Sequence, residues 1–231
     1  MSRYKKLKEE ALVENRKIPE LGLAIYTFGN VSAFDPGLNA FAIKPSGVPY
    51  TELTLDSMVV VDLQNKVIEG NLRPSSDTRT HAVLYRAFPD IRGIVHTHSC
   101  NAVAWAQAMR DIPIYGTTHA DHLACDIPCT KVMSDSQITG DYEEETGNQI
   151  VDHFKELSYK EIEMVLVACH GPFTWGSSAA KALYNSAVLE EVAKMALLTE
   201  QLNPEVPRLK NTLIEKHYWR KHGKNAYYGQ S

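Results

Sequence analysis

The 231-residue sequence contains no apolar run long enough to cross a bilayer, so no membrane-spanning helix is expected. Its opening stretch, MSRYKKLKEEALVENRKIPE, is charged throughout and lacks the apolar centre of a secretory signal. A soluble, cytoplasmic protein with no membrane partner is therefore expected. Cysteine is sparse: Cys100, Cys125, Cys129 and Cys169 are too few to staple a scaffold and read as free thiols. Cys125 and Cys129 form a CxxxC pair, but no second pair completes a structural zinc site. Positive charge is not in surplus either. The 24 Lys and Arg against 28 Asp and Glu leave a net charge of −4, which gives duplex nucleic acid no electrostatic foothold. There is no GxGxxG, so a Rossmann dinucleotide site has no support. Nor is there a Ser/Gly linker, a repeat or a low-complexity segment to divide residues 1–231 into separate domains.

What is present is globular: 44% of residues are hydrophobic and 23% charged, enough to bury a substantial core. Leu7, Ala11 and Leu12 are spaced for an amphipathic helix over 5–16. Strand-like runs follow at 24–28, 40–45, 57–63, 66–70, 93–98 and 165–170. The pair MVVVDL-QN-KVIEG predicts a hairpin around Gln64–Asn65 and hence an antiparallel sheet. Helices are predicted over 77–88, after the capping serines Ser75 and Ser76, with Asp77 in the first turn. Others are predicted over 99–109 behind Ser99, over 178–202 and over 208–222. In the helix over 178–202, Leu183, Val188, Val192, Met195 and Leu198 are expected to face inward. One α+β or three-layer domain fits this alternation.

GIVHTH brings His96 and His98 to the end of an apolar run. Residues at i and i+2 of a strand share a face, so the two rings converge with Thr97 turned away. A metal pair and two hydrogen-bonded surface histidines are both compatible with that. VLVACHGPFTWG ends a second apolar run on His170, where Gly-Pro is expected to stop the strand. Three histidines at the ends of two buried strands suit an open zinc site, and imidazole does not suit Ca²⁺ or Mg²⁺. Cys169, on the opposite face, is expected in the core. TFGNVS (27–32), KPSG (44–47) and RPSSDT (73–78) are turns rich in hydroxyls, an amide, a lysine and free N–H groups. Singly each is an ordinary turn or cap; together with the HxH they suit a phosphorylated small molecule. Asp121 in GTTHAD could serve as a general base or be an exposed loop carboxylate. The basic, aromatic stretch IEKHYWRKHGKNAYYGQS could be a solvated face, a weak nucleic-acid arm or a source of anion contacts. YEEET (142–146) reads as an acidic helix start.

Taken together, IKPSGVPY, RPSSDTRTH, GIVHTHS, GTTHAD, IPCT, HGPFTWG, VLEEVAKMA and KHYWRKHGKNAYYGQ resemble the L-ribulose-5-phosphate 4-epimerases of the class II (zinc) aldolase superfamily. The resemblance runs over nearly the whole chain. It implies a three-layer α/β/α fold with a mainly antiparallel sheet flanked by helices, and a homotetramer with sites between subunits. It implies one Zn²⁺ per subunit held by His96, His98 and His170, with Asp77 beside it. Gly29, Asn30, Lys44, Ser46, Gly47, Ser75 and Ser76 match substrate and phosphate positions. Asp121 and Tyr228 match an acid/base pair, Thr117, His217 and Arg220 match supporting positions, and the tail from about 208 would reach a neighbouring subunit. The implied reaction is zinc-dependent C4 epimerisation of L-ribulose 5-phosphate to D-xylulose 5-phosphate by retro-aldol cleavage and re-formation of C3–C4, in a setting such as arabinose catabolism. Aldolases of the superfamily usually carry Glu where this chain has Asp77, which favours the epimerase reading. A lyase of the same superfamily and a non-catalytic, zinc-dependent phosphosugar-binding protein are the alternatives.

Overall fold

Residues 30–35 (NVSAFD) mix apolar and polar side chains, and they form the central strand of the sheet. The computed structural model describes residues 2–223 and 226–227. The chain runs α1 (Lys5–Glu20), β1 (Asn30–Asp35), β2 (Ala40–Ile43), β3 (Val59–Asp62), β4 (Val67–Glu69), α2 (Thr78–Ala87), β5 (Gly93–His96) and α3 (Cys100–Gln107). It continues through the short α4 (Thr117–Ala120) and α5 (Asp135–Thr139), then α6 (Tyr142–His153), β6 (Met164–Val167), β7 (Gly171–Gly176), α7 (Ala179–Leu202) and α8 (Asn211–His222). The strands form one sheet in the order β4-β3-β2-β1-β5-β7-β6, with every neighbouring pair antiparallel.

Both faces of this sheet are covered, the three-layer arrangement expected from the sequence. Val31, Ala33, Val60 and Val95 pack with α1 and α7, while Phe41, Ile94, Val165 and Trp175 pack with α2 and α6. Burial on both faces makes the strands apolar almost throughout, which weakens their alternation as a signal. A third cluster joins α3 to α7 and β6 through Trp105, Leu166 and Leu189. Close approach is built in by glycine: a Cβ on Gly147 of α6 would stand 2.6 Å from Val83 Cβ of α2.

Several expectations change. Residues 24–28 are a turn, not a strand, and Tyr26 within it has φ +54°. The strand lies further on, at β1, where the buried polar residues Asn30 and Ser32 disguise the apolar pattern. Gly171–Pro172 does not end a strand but begins β7, where Pro172 stands near the strand start. Cys169 is exposed rather than core, because it occupies the tight β6–β7 turn at φ +62°. On α7, Leu189, Ala193 and Ala196 take the inward positions, leaving Met195 and Leu198 45% and 47% exposed. Asp77 caps α2 instead of entering its first turn, and neither Ser99 nor Asp77 makes a side-chain capping bond. The first N–H groups of α3 are instead met by Glu190 of α7, which accepts from Asn101 N at 3.0 Å and Ala102 N at 2.9 Å. The hairpin at Gln64–Asn65 is present, with Asn65 at φ +66°.

Candidate active site

β1, β5 and β7 lie side by side, and their register sets Asn30, His96 and Phe173 in one row. The His96 ring stacks on Phe173 at 4.3 Å, and its Nδ1 donates to the Pro172 carbonyl at 3.0 Å. That bond leaves Nε2 with its lone pair, 3.1 Å from Nε2 of His98 just beyond the strand. The left-handed turn at Cys169 brings in His170, whose ring centroid is 4.7 Å from that of His96. One ligand atom from each of the three lies within 4.8 Å of the others. Burial, with the neighbouring His98, pushes the His96 pKa down to about 3; burial and His96 push His170 down to about 4. Burial also lowers His98. Three neutral imidazoles converging on one point fit a divalent transition metal, with the side toward the cavity left for substrate oxygen.

The trio lines one end of a cavity of about 370 Å³. Lys44 lies at the same cavity, 2% exposed, its Nζ donating only to the carbonyls of Thr27 at 3.3 Å and Pro45 at 3.4 Å. Burial lowers its pKa to about 8, and no carboxylate pairs with it among the described residues. Tyr50, which lies 5.0 Å beneath the ammonium, donates to the Phe28 carbonyl at 2.6 Å. Burial and the charge of Asp77 raise its pKa. A buried ammonium with only neutral partners calls for an anion.

The turns flagged in the sequence meet here because backbone bonds stitch them together. Ser46 N donates to Arg73 O at 2.9 Å, and Ser75 N to Lys44 O at 3.0 Å. Ser46, Gly47, Ser75 and Ser76 therefore line the same wall. Asn30 Nδ2 donates to Asp77 Oδ2 at 2.6 Å and to Ser75 Oγ at 3.1 Å. Asp77 stands in the cavity wall through this bond and is not one of the three residues whose ligand atoms converge. Gly29 is required by both conformation and space: its φ is +78°, and a Cβ would lie 2.7 Å from the His96 carbonyl oxygen.

Two lining residues escaped sequence reasoning. Tyr142 and Glu143, at the start of α6, border the cavity, and Tyr142 Oη is 3.4 Å from His170 Nδ1. YEEET carries no signal beyond a helix start, since its proximity to His170 is purely tertiary. Phe28, in the flagged TFGNVS turn, tilts over His98 at 5.9 Å.

A second cluster stands apart. Asp121 accepts from Arg220 Nε at 3.0 Å, Arg220 Nη2 at 2.8 Å and His217 Nδ1 at 2.9 Å, with Lys221 Nζ 3.7 Å away. Burial works to raise the Asp121 pKa, but these bonds and charges outweigh it and hold the carboxyl below its usual range. Thr117 begins α4, its carbonyl accepting from Asp121 N at 2.8 Å. None of Thr117, Asp121, His217 and Arg220 lines the histidine cavity of its own chain. Tyr228 lies outside the described residues.

The model of the class II aldolase and adducin N-terminal domain matches residues 9–197. The chain belongs to the class II aldolase family. Across that family it is 48% identical, over 97% of its length and 99% of theirs, to L-ribulose-5-phosphate 4-epimerase UlaF of Salmonella paratyphi C (strain RKS4594) and of Salmonella choleraesuis (strain SC-B67). Among solved structures it resembles an L-fuculose 1-phosphate aldolase at 24% identity and a TM-score of 0.78, covering 94% of this chain and 95% of that one. It also resembles L-fuculose 1-phosphate aldolase from Glaciozyma antarctica PI12 at 16% identity and a TM-score of 0.77, covering 96% and 84%. These class II aldolase structures share the fold seen here. No helix among the described residues is long and apolar enough to cross a membrane.

Proposed function

We propose that this class II aldolase family member is a zinc-dependent epimerase that interconverts L-ribulose 5-phosphate and D-xylulose 5-phosphate at C4. The observation that carries the reading is the pairing, in one cavity, of a buried ammonium lacking a carboxylate partner among the described residues with three convergent neutral imidazoles. The near-full-length similarity to named epimerases points the same way. Lys44, Ser46, Gly47, Ser75 and Ser76 hold the phosphate, and His96, His98 and His170 hold zinc, with Asp77 beside it.

Carbon acidity selects the route. The carbonyl is at C2, so the C4 hydrogen is too remote to be acidic, and no dinucleotide fingerprint supports oxidation. Removal of the C4 hydroxyl proton lets the C3–C4 bond break, its electron pair moving into the C2 carbonyl. The fragments are a dihydroxyacetone enediolate and glycolaldehyde phosphate. When bound, zinc supplies Lewis acidity that stabilises negative charge on the C2 and C3 oxygens. Lys44 and the serine turns keep the phosphate while the aldehyde rotates, and attack on its other face restores the bond with C4 inverted. The new alkoxide takes a proton. Inversion requires proton donors and acceptors on both sides, and Asp121 with Tyr228 fill those places.

Because Asp121, His217 and Arg220 lie away from the cavity of their own chain, they serve the cavity of a neighbouring subunit in a homotetramer. The protein works as one domain per subunit in the cytoplasm.

The deciding experiment follows L-ribulose 5-phosphate with and without a chelator. Xylulose 5-phosphate as sole product, lost on chelation and restored by zinc, supports the proposal. Free glycolaldehyde phosphate as the main product identifies a lyase, and tight binding without turnover identifies a binding protein.

A further inference from the structure

Helix α2 turns a polar stripe toward the sheet, where apolar side chains would avoid any desolvation cost. Asp77, His81 and Tyr85 recur every four residues and so share one face of the helix. Opposite them on β1, Asn30 and Ser32 share one face of the strand. The two stripes form a ladder. Asn30 Nδ2 meets Asp77 Oδ2 at 2.6 Å, and Ser32 Oγ lies 2.7 Å from both His81 Nδ1 and Tyr85 Oη. Ser32 and His81 are fully buried, and Tyr85 is nearly so. Leaving a polar atom unmet in such a place carries its full desolvation cost. Two atoms of the ladder, His81 Nε2 and Asn30 Oδ1, have no partner among the described residues.

These two orphans are complementary. The ladder's distances admit a chain in which the Tyr85 hydroxyl donates to Ser32 Oγ and the Ser32 hydroxyl donates to His81 Nδ1, and we adopt this direction. That arrangement puts the histidine proton on Nε2 and makes it a donor. Asn30 Oδ1 can only accept. His81 also sits over the row that contains Asn30, its ring 6.3 Å from Phe173 of the same row. Neither orphan makes a hydrogen bond to the other, and a water held between a donor and an acceptor satisfies both.

We propose that His81 is a positioning residue, joined to the Asn30 amide oxygen through one buried water, that keeps Asn30 Nδ2 turned toward Asp77. Without that link the amide is free to turn over and present its oxygen to the carboxylate, which repels it. The chain Tyr85–Ser32–His81–water–Asn30 thus aims Asp77 in the cavity while none of its first three members touches substrate.

The inference rests on the epimerase reading only for what Asp77 meets, so its first test needs no substrate. In protein labelled with ¹⁵N-histidine, NMR should show His81 with a protonated, slowly exchanging Nε2; a proton on Nδ1 overturns the proposal. The second test compares His81→Phe, which fills the ring volume without a donor, with His81→Gln, which restores one near Nε2. His81→Phe should lower kcat on the order of 10–100-fold, with little change in KM or zinc affinity, and His81→Gln should recover about tenfold. Equal kcat in the two variants would show that His81 only fills space. Absence of turnover in the unaltered protein would overturn the epimerase reading instead, and the tautomer measurement would then decide the role of His81 alone.

Discussion

Lys44 shows how one side chain can be costly to the empty protein and useful to the loaded one. Its ammonium is buried against carbonyls and a ring, and its pKa falls to about 8. Binding a phosphate monoester favours the charged form, so anion affinity should weaken as the pH rises through about 8. Calorimetric titration with inorganic phosphate at pH 7 and pH 9.5 measures this, and Lys44→Met should remove both the binding and its pH dependence. The lysine, the histidine trio and the turns around them were legible in the sequence because HxH and KPSG are compact. Tyr142 and Glu143 were not, because only the packing of α6 on α2 brings Tyr142 to His170 and Glu143 to the cavity. Asn30 and Ser32 hid β1 for a related reason: polar residues in a buried strand erase the pattern by which strands are read.

At the level of elements, two contacts fix the ligand strand. Gly93 opens β5 against the start of α7, and a Cβ there would lie 2.4 Å from backbone atoms of Ala179 and Ser178. Backbone cannot yield as a side-chain tip can, so Gly93→Ala should destabilise the fold by about 1–3 kcal/mol in urea unfolding. Glu190 caps α3 immediately after the His98 turn, also accepting from Asn101 Nδ2 at 2.7 Å. Glu190→Gln should reduce zinc affinity, measured by chelator competition, by about tenfold while the helix content by circular dichroism stays unchanged. The helices over 77–88, 99–109 and 178–202 were read correctly in outline. Ser99 does stand at the N-cap of α3 but makes no side-chain bond there, and Asp77 rather than Ser75 or Ser76 is the N-cap of α2; the partner of the α3 N-terminus comes from a helix almost ninety positions away in sequence.

For the whole molecule, the separation of Asp121 from the histidine cavity predicts complementation. His96→Asn and Asp121→Asn should each be inactive alone. After unfolding and refolding together, mixed oligomers should regain part of the activity, because some cavities receive an intact partner from each variant. No recovery would confine the site to one chain. Acid sensitivity is a second property of the ensemble. His81 is held at about 3 and His119 at about 4 by burial, against 6.5 for the free side chain. The unfolded chain therefore binds more protons below pH 6.5, so stability should be full above that value and fall steadily toward pH 4. Denaturant midpoints measured across that range would reveal it.

On the proposed reaction, the phosphate cradle also sets a branching ratio. After C3–C4 opens, glycolaldehyde phosphate can either turn and be recaptured or diffuse away through the cavity mouth. With Lys44 and the serine turns in their proposed role, holding only its phosphate end, the grip of that clamp would fix how many fragments return per fragment lost. Epimerase and lyase are then two settings of one leak rate, and loosening Lys44 should shift the molecule from the first toward the second.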